Sequence, residues 1–328
     1  MSNELLSTSQ EVTSPAEVSA YFRGLEQTEI MEYCLGFDKP NAPSFAEHVL
    51  LIALACGGID GNLPTILDLG LHTIQREDVR QRLSNPGPHS ANVLRSIAYH
   101  HLRLEKTARH ANRLPNPLDA ESNRFGVTRF VNGSEAKVLF EDSLCSPIQQ
   151  TAQQFEDLEP LQFCPIVLLS HNTLQFRILH DTLSLHPTTW QHVVATITTE
   201  RIAHEQGFDW RGGPLSLSQL TQDLKIEYPS PQSAADNAAY TILAAVQMVM
   251  RSKIPLAKES LQSVVNVTML HSQSTDPTWG DENFCTHCGM HDHRRRTCLF
   301  TEAVICMKCV AIGMGAMMYT HIEGGCPW

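Results

Sequence analysis

The sequence predicts an α/β domain followed by a small cysteine-rich module, and three observations carry that reading. Apolar runs of strand length, "HVLLIALACGG" (48 to 58) and "FCPIVLLSH" (163 to 171), are continuous enough for buried strands. Helix-like stretches follow and alternate with them, which is the pattern of an α/β layer structure. Six of the ten cysteines then crowd into the last 44 residues, after the alternation has stopped.

Taken in order, residues 1 to about 16 are Ser/Thr-rich without apolar periodicity and read as disordered. A mixed segment leads to about residue 44. "PTILDLGLHTI" (64 to 74) alternates as a neighbour of the first strand would. Residues 104 to 136 are polar and punctuated by Pro, Asn and Gly, so they read as a long excursion or flap. "NTLQFRILHDTL" is helix-like, and "HVVATITT" (192 to 199) is rich in β-branched residues, as strands are. In "SLSQLTQDLKI" (216 to 226), Leu217, Leu220 and Leu224 share one helical face behind a candidate Ser216 cap. "SAADNAAYTILAAVQMVMRSK" (233 to 253) is the most helical stretch, with Ser233 or Asp236 as its cap. From about residue 265 the periodicity fades and a linker is expected. The resulting division is 1–44, 45–255, a linker over 256–283 and a tail over 284–328.

A 328-residue chain with 42% hydrophobic residues has ample material for a packed core. Its formal net charge of −11 argues against a general DNA coat, because non-specific duplex binding needs many cationic contacts to phosphate. The start of the chain has neither a basic nor an apolar region of the secretory kind, and the apolar runs fall short of the roughly 20 residues of a membrane span. An intracellular protein, nuclear or cytoplasmic and without a membrane partner, is the expectation. In a reducing compartment, clustered Cys with interleaved His are metal ligands rather than disulfides. Cys34, Cys56, Cys145 and Cys164 are scattered and read as packed thiols.

Within the tail, Cys285, Cys288, His293 and Cys298 give C-x2-C-x4-H-x4-C, with Gly289 where the chain must turn around an ion. Four soft or borderline ligands so closely spaced suit tetrahedral zinc. This set resembles a CCHC zinc knuckle. Cys306, Cys309, His321 and Cys326 keep the first and last spacings with a longer middle and read as a divergent second knuckle, for about two zinc ions in all. Arg294, Arg295 and Arg296 supply a local positive patch, and Phe284 or Trp328 is the candidate base-stacking aromatic.

The large domain resembles the DEDDh-type 3′–5′ exonucleases of the ribonuclease H-like fold, particularly a fungal branch, through "QSAADNAAYTILAAVQMV" and through the order of the earlier segments over residues 47 to 251. The resemblance implies a mixed sheet flanked by helices. It also implies that the family's metal-binding acids and general base fall at Ala55, Gly57, Gln175, Gln232 and Asn237, none of which can do that work. Two-metal chemistry needs carboxylates to hold both ions. No magnesium is therefore expected there. Asp236 is one residue from the expected place, about 100° around a helix, and Asp60 and Asp68 restore no pair on the first strand.

The leading expectation is a non-catalytic exonuclease-like domain with tandem knuckles that bind single-stranded RNA or DNA. A protein-interaction scaffold in an RNA-processing or silencing assembly is the second reading. An active nuclease using displaced acids is the third.

Overall fold

The computed structural model describes residues 14–59, 65–108, 123–148, 162–183, 185–208, 214–229, 233–254, 257–274, 277–300, 305–315, 318, 323 and 326. Two helices open it, α1 (Pro15–Phe22) and α2 (Gln27–Cys34), before strands β1 (Leu50–Ile59) and β2 (Thr65–Gln75). Helices α3 (Arg76–Arg82) and α4 (Ala91–Leu94) lead to β3 (Ala98–Leu104) and α5 (Glu105–Ala108). Next come β4 (Val127–Val131), α6 (Gly133–Leu144), β5 (Ile166–Ser170), α7 (Leu174–Leu183) and β6 (Val193–Thr198). Then follow α8 (Thr199–Glu205), α9 (Leu217–Asp223), α10 (Ala234–Met250), α11 (Leu261–Ser272) and, in the tail, α12 (Met307–Ala311).

The strands form one six-stranded mixed sheet in the order β4-β3-β2-β1-β5-β6. β1, β2 and β3 are antiparallel neighbours, whereas β5 and β6 extend the sheet in parallel and β4 lies parallel on the far edge. Alternation along β1 divides the core: Leu51 and Ala53 face one apolar layer and Ile52 and Leu54 the other. This is the helix-flanked mixed sheet of a ribonuclease H-like fold.

Helix α10 is apolar nearly all round, and it is buried nearly all round, against the sheet on one side and other helices on the other. Its start fits the sheet closely because Gly70 has no side chain; a Cβ there would come within 2.4 Å of the Ala234 carbonyl oxygen. Ser216 and Ser233 cap α9 and α10, each side chain accepting from a backbone N–H three residues on. Asp236 is not the cap of α10 but closes the box from the third position.

Three expectations need correction. Residues 15–37 are no separate segment, since Val18, Phe22, Met31, Tyr33 and Leu35 belong to the main core. The excursion expected over 104 to 136 contains α5, edge strand β4 and the start of α6; residues 109–122 lie outside the described residues. "VTRFV" reads as polar because of Arg129, but Arg129 is buried, with an ion-pair partner in Glu282 at 3.9 Å. The linker expected over 256–283 is partly helix. α11 buries Val264, Val265, Thr268 and Ser272, and the Thr268 hydroxyl returns a bond to the Val264 carbonyl. Hydroxyl residues on a buried face disguised its apolar stripe.

Past α11 the chain is pinned to the sheet. Phe130 and Asp281 exchange two backbone hydrogen bonds of 2.8 Å, and Gly280, at φ +67°, passes so close that a Cβ would sit 2.8 Å from the Phe130 carbonyl oxygen. Phe284 is buried against Phe130 and Ala108.

Candidate metal centre

Two places bear on function: the end of β1, where the sequence expects the remains of an active site, and the tail. At the end of β1, Ala55 is buried and offers no ligand atom. Gly57 lies opposite Asp68 of β2, and an added Cβ at Gly57 would stand 1.8 Å from Asp68 Oδ1. The space where an acid on β1 would start is thus filled by an acid from β2.

Asp68 is not free to hold ions on that account. Its Oδ2 accepts from His101 Nε2 at 3.0 Å and from the Ala234 N–H, at the start of α10, at 2.9 Å. The Thr128 hydroxyl bonds the other ring nitrogen of His101 at 2.8 Å. Burial pushes the Asp68 carboxyl up, but the His101 bond, the charges of His101 and Arg103 and the Ala234 N–H outweigh it and hold the group below the ordinary carboxylate range. Of the two Asp68 oxygens, Oδ1 is the one buried without a hydrogen bond.

Asp236 is likewise committed. Its Oδ1 accepts from the N–H groups of Arg124 (2.9 Å) and Phe125 (3.3 Å), and its Oδ2 from Ser233 N–H (3.3 Å), with the Arg124 guanidinium 3.5 Å away. Burial raises its pKa in spite of those donors. Gln175 Oε1 accepts from Cys56 N–H at 2.7 Å, and Asn237 accepts from the Tyr228 hydroxyl. The structure therefore brings Ala55, Gly57 and Gln175 together at one end of β1, while Asn237 lies in the first turn of α10, and both neutral amides are taken up in structural bonds. Gln232 and Asp60 lie outside the described residues. His171, bonded to Thr199 and the Leu215 carbonyl, joins two segments and is no ligand.

The tail is arranged in the opposite sense. One ligand atom from each of Cys285, Cys288, His293 and Cys298 lies within 4.8 Å of all the others. Cys288 Sγ and His293 Nε2 are 3.4 Å apart, against an edge of about 3.6 Å for a tetrahedron with zinc bonds of roughly 2.3 Å to sulfur and 2.1 Å to nitrogen. Gly289, at φ +81°, donates its N–H to the Cys285 carbonyl at 2.8 Å and makes the turn that brings the first two thiols together. Burial and the neighbouring thiols push Cys288 up to about 11. Such crowded thiols ionise together only around a cation, so the donor set fits zinc.

In the second set, Cys306, Cys309 and Cys326 converge in the same way, with Cys309 Sγ and Cys326 Sγ 3.7 Å apart. Burial and those two thiols push Cys309 up to about 12. Here the second cysteine sits on helix α12, so the local backbone differs from that of the first set. His321, like Trp328, lies outside the described residues.

Of the expected nucleic-acid contacts, Arg295 and Arg296 are exposed, while Arg294 is half-buried and donates to the Glu282 carbonyl at 2.9 Å. Phe284 is a correction. It is 4% exposed, with its ring 5.4 Å from that of Phe130, and presents no face to a base. Its place before the first cysteine puts it in the seam with the sheet. Met290, Leu299 and Phe300 are the exposed apolar groups of this module, and Phe300, two residues after the last ligand, went unnoticed in the sequence.

Fold and sites together define an exonuclease-type α/β domain followed by cysteine clusters that could hold metal ions. The chain belongs to the family described as DNA polymerase III subunit epsilon-like, C-terminal domain, of the DEDDh type, whose model matches residues 50–248. No curated protein matches the chain.

Proposed function

We propose that the chain is a non-catalytic member of this exonuclease family whose tail, folded around zinc, binds single-stranded RNA or DNA. The observation that carries the proposal is the filled place at Gly57. Of the acids nearest to it, Asp68 directs Oδ2 and Asp236 directs both oxygens at N–H donors. Two cations would have to displace those donors and cross a closed surface. Ala55 and Gly57 supply no replacement.

The tail supplies what the sheet lacks. Zinc held by Cys285, Cys288, His293 and Cys298 fills a closed four-ligand set and serves structure, with no position open for chemistry. Exposed Arg295 and Arg296 attract phosphate, and Phe300, 61% exposed, offers a ring on which a base can stack. Binding of this kind is local, compatible with a chain of net charge −11.

A second reading has its own observation. Ile305, Met307, Val310 and Ile312 are all exposed around α12, a surface suited to a protein partner. The decisive test is retention of labelled single-stranded RNA and DNA by the full chain across a salt series, together with incubation in Mg²⁺ or Mn²⁺. Salt-sensitive binding without shortening of the strand is expected. Shortening that is lost on Asp236→Ala overturns the non-catalytic reading, and no retention at low salt leaves the protein-partner reading.

A further inference from the structure

A third cluster of ligand groups lies outside both cysteine sets. Glu105 opens α5, just past the end of β3; Asp281 is the residue paired to Phe130 on the sheet edge; His291 belongs to the first cysteine module. One ligand atom from each lies within 4.8 Å of the other two. His291 Nδ1 is 2.6 Å from Asp281 Oδ2 and 3.7 Å from Glu105 Oε1. We infer that these three side chains form a divalent-cation site that ties the first cysteine module to the sheet domain.

The groups come from three stretches of chain and are placed by contacts that do not involve one another's side chains. Asp281 is fixed by two backbone bonds to Phe130, and the His291 ring packs edge-on against buried Phe284 at 5.1 Å. Such prior placement matters because a site that need not be assembled loses less ordering entropy on binding. Two carboxylates and one imidazole, with no thiolate, are harder donors than the cysteine sets and suit a different ion, Mn²⁺ or Co²⁺. Asp281 and His291 are about half exposed, with side-chain exposures of 56% and 49%, so water can complete the coordination sphere. A divalent ion also neutralises the two carboxylates that the seam brings together.

The inference is independent of nucleic-acid binding. Its test is a titration of the full zinc-loaded chain with Mn²⁺, followed by electron paramagnetic resonance, with zinc counted in parallel. One saturable Mn²⁺ per chain is expected. Glu105→Gln and Asp281→Asn should each weaken it by about tenfold or more, and zinc content should stay unchanged. Glu105→Gln lies outside the cysteine module, so its folding is not at stake. No saturable Mn²⁺, or equal binding by both variants, overturns the site. Bound Mn²⁺ in a chain that holds no zinc would support it while removing the knuckle reading.

Discussion

At the end of β1, Asp68 and Asp236 accept from His101, Ala234, Arg124, Phe125 and Ser233, whereas in the tail the thiols of Cys285, Cys288 and Cys298 converge on one another and on His293. The first arrangement meets internal donors at every carboxylate oxygen except Asp68 Oδ1. The second is a crowd of thiols that ionise together only around a cation. The difference teaches where metal dependence lies in this molecule: acidic residues near a family's active site do not imply ions once their oxygens meet internal donors.

The largest break in that comparison should come from the tail. Cys288→Ser, or strong chelation, is expected to remove one zinc per chain and to unfold the first module, since structural zinc contributes on the order of 10 kcal/mol in small modules. Because Phe284 and Asp281 tie the module to β4, the melting temperature of the sheet domain should fall too. Metal analysis and calorimetry read both effects. A chelator that leaves the melting curve unchanged would disconnect the two regions.

Asp68→Ala tests the sheet end. It leaves His101 Nε2 and the Ala234 N–H unpaired in a closed interior, for an expected loss of about 3–5 kcal/mol in urea unfolding. Magnesium should change neither the parent's nor the variant's unfolding midpoint. The two phenylalanines of the first module should then part company. Phe284→Ala is expected to cost about 3 kcal/mol of stability. Phe300→Ala should stay within about 0.5 kcal/mol in stability and weaken single-strand binding by about 1–3 kcal/mol. Equal behaviour of the two in both assays would refute their assignment to seam and surface.

The smallest effect is the pH dependence of the sheet end, where the two acids have opposite signs. Asp68 is held below its unfolded value, so its stabilisation is present above the ordinary carboxylate pKa near 3.9 and is lost as pH falls through the lower folded value. Asp236 is held above, so the folded chain binds its proton more readily, and that contribution is lost as pH rises through the raised value. Asp236→Asn should flatten the midpoint just above the ordinary carboxylate range, and Asp68→Asn should flatten it below. Urea midpoints over an acidic pH series decide the matter.

Much of the fold is legible where one kind of residue repeats. The runs at 48 to 58 and 163 to 171 are strands because both faces are apolar, and 233 to 253 is a buried helix because all its faces are. Ser216 and Ser233 announce their helices by a side chain with one geometric use. What stayed hidden depends on partners far along the chain. Arg129 makes β4 look like loop until Glu282 is placed beside it. Thr268 and Ser272 look solvent-facing until their hydroxyls are seen to satisfy their own helix. At the sites, ligand spacing showed which tail residues converge, since the chain between them is short. The position of Asp68 was not visible in the same way, because only strand register puts it over Gly57.

The pairing of Asp281 with Phe130 also bears on how the chain behaves at high concentration. β4 is an outermost strand, and such an edge, left bare, is a template on which a stray strand can dock and start aggregation. By laying residues 280 and 281 along it and wedging Phe284 beside it, the chain uses its own tail as a guard. Cutting the tail away would expose a sticky rim, and the shortened protein should self-associate even with its sheet intact.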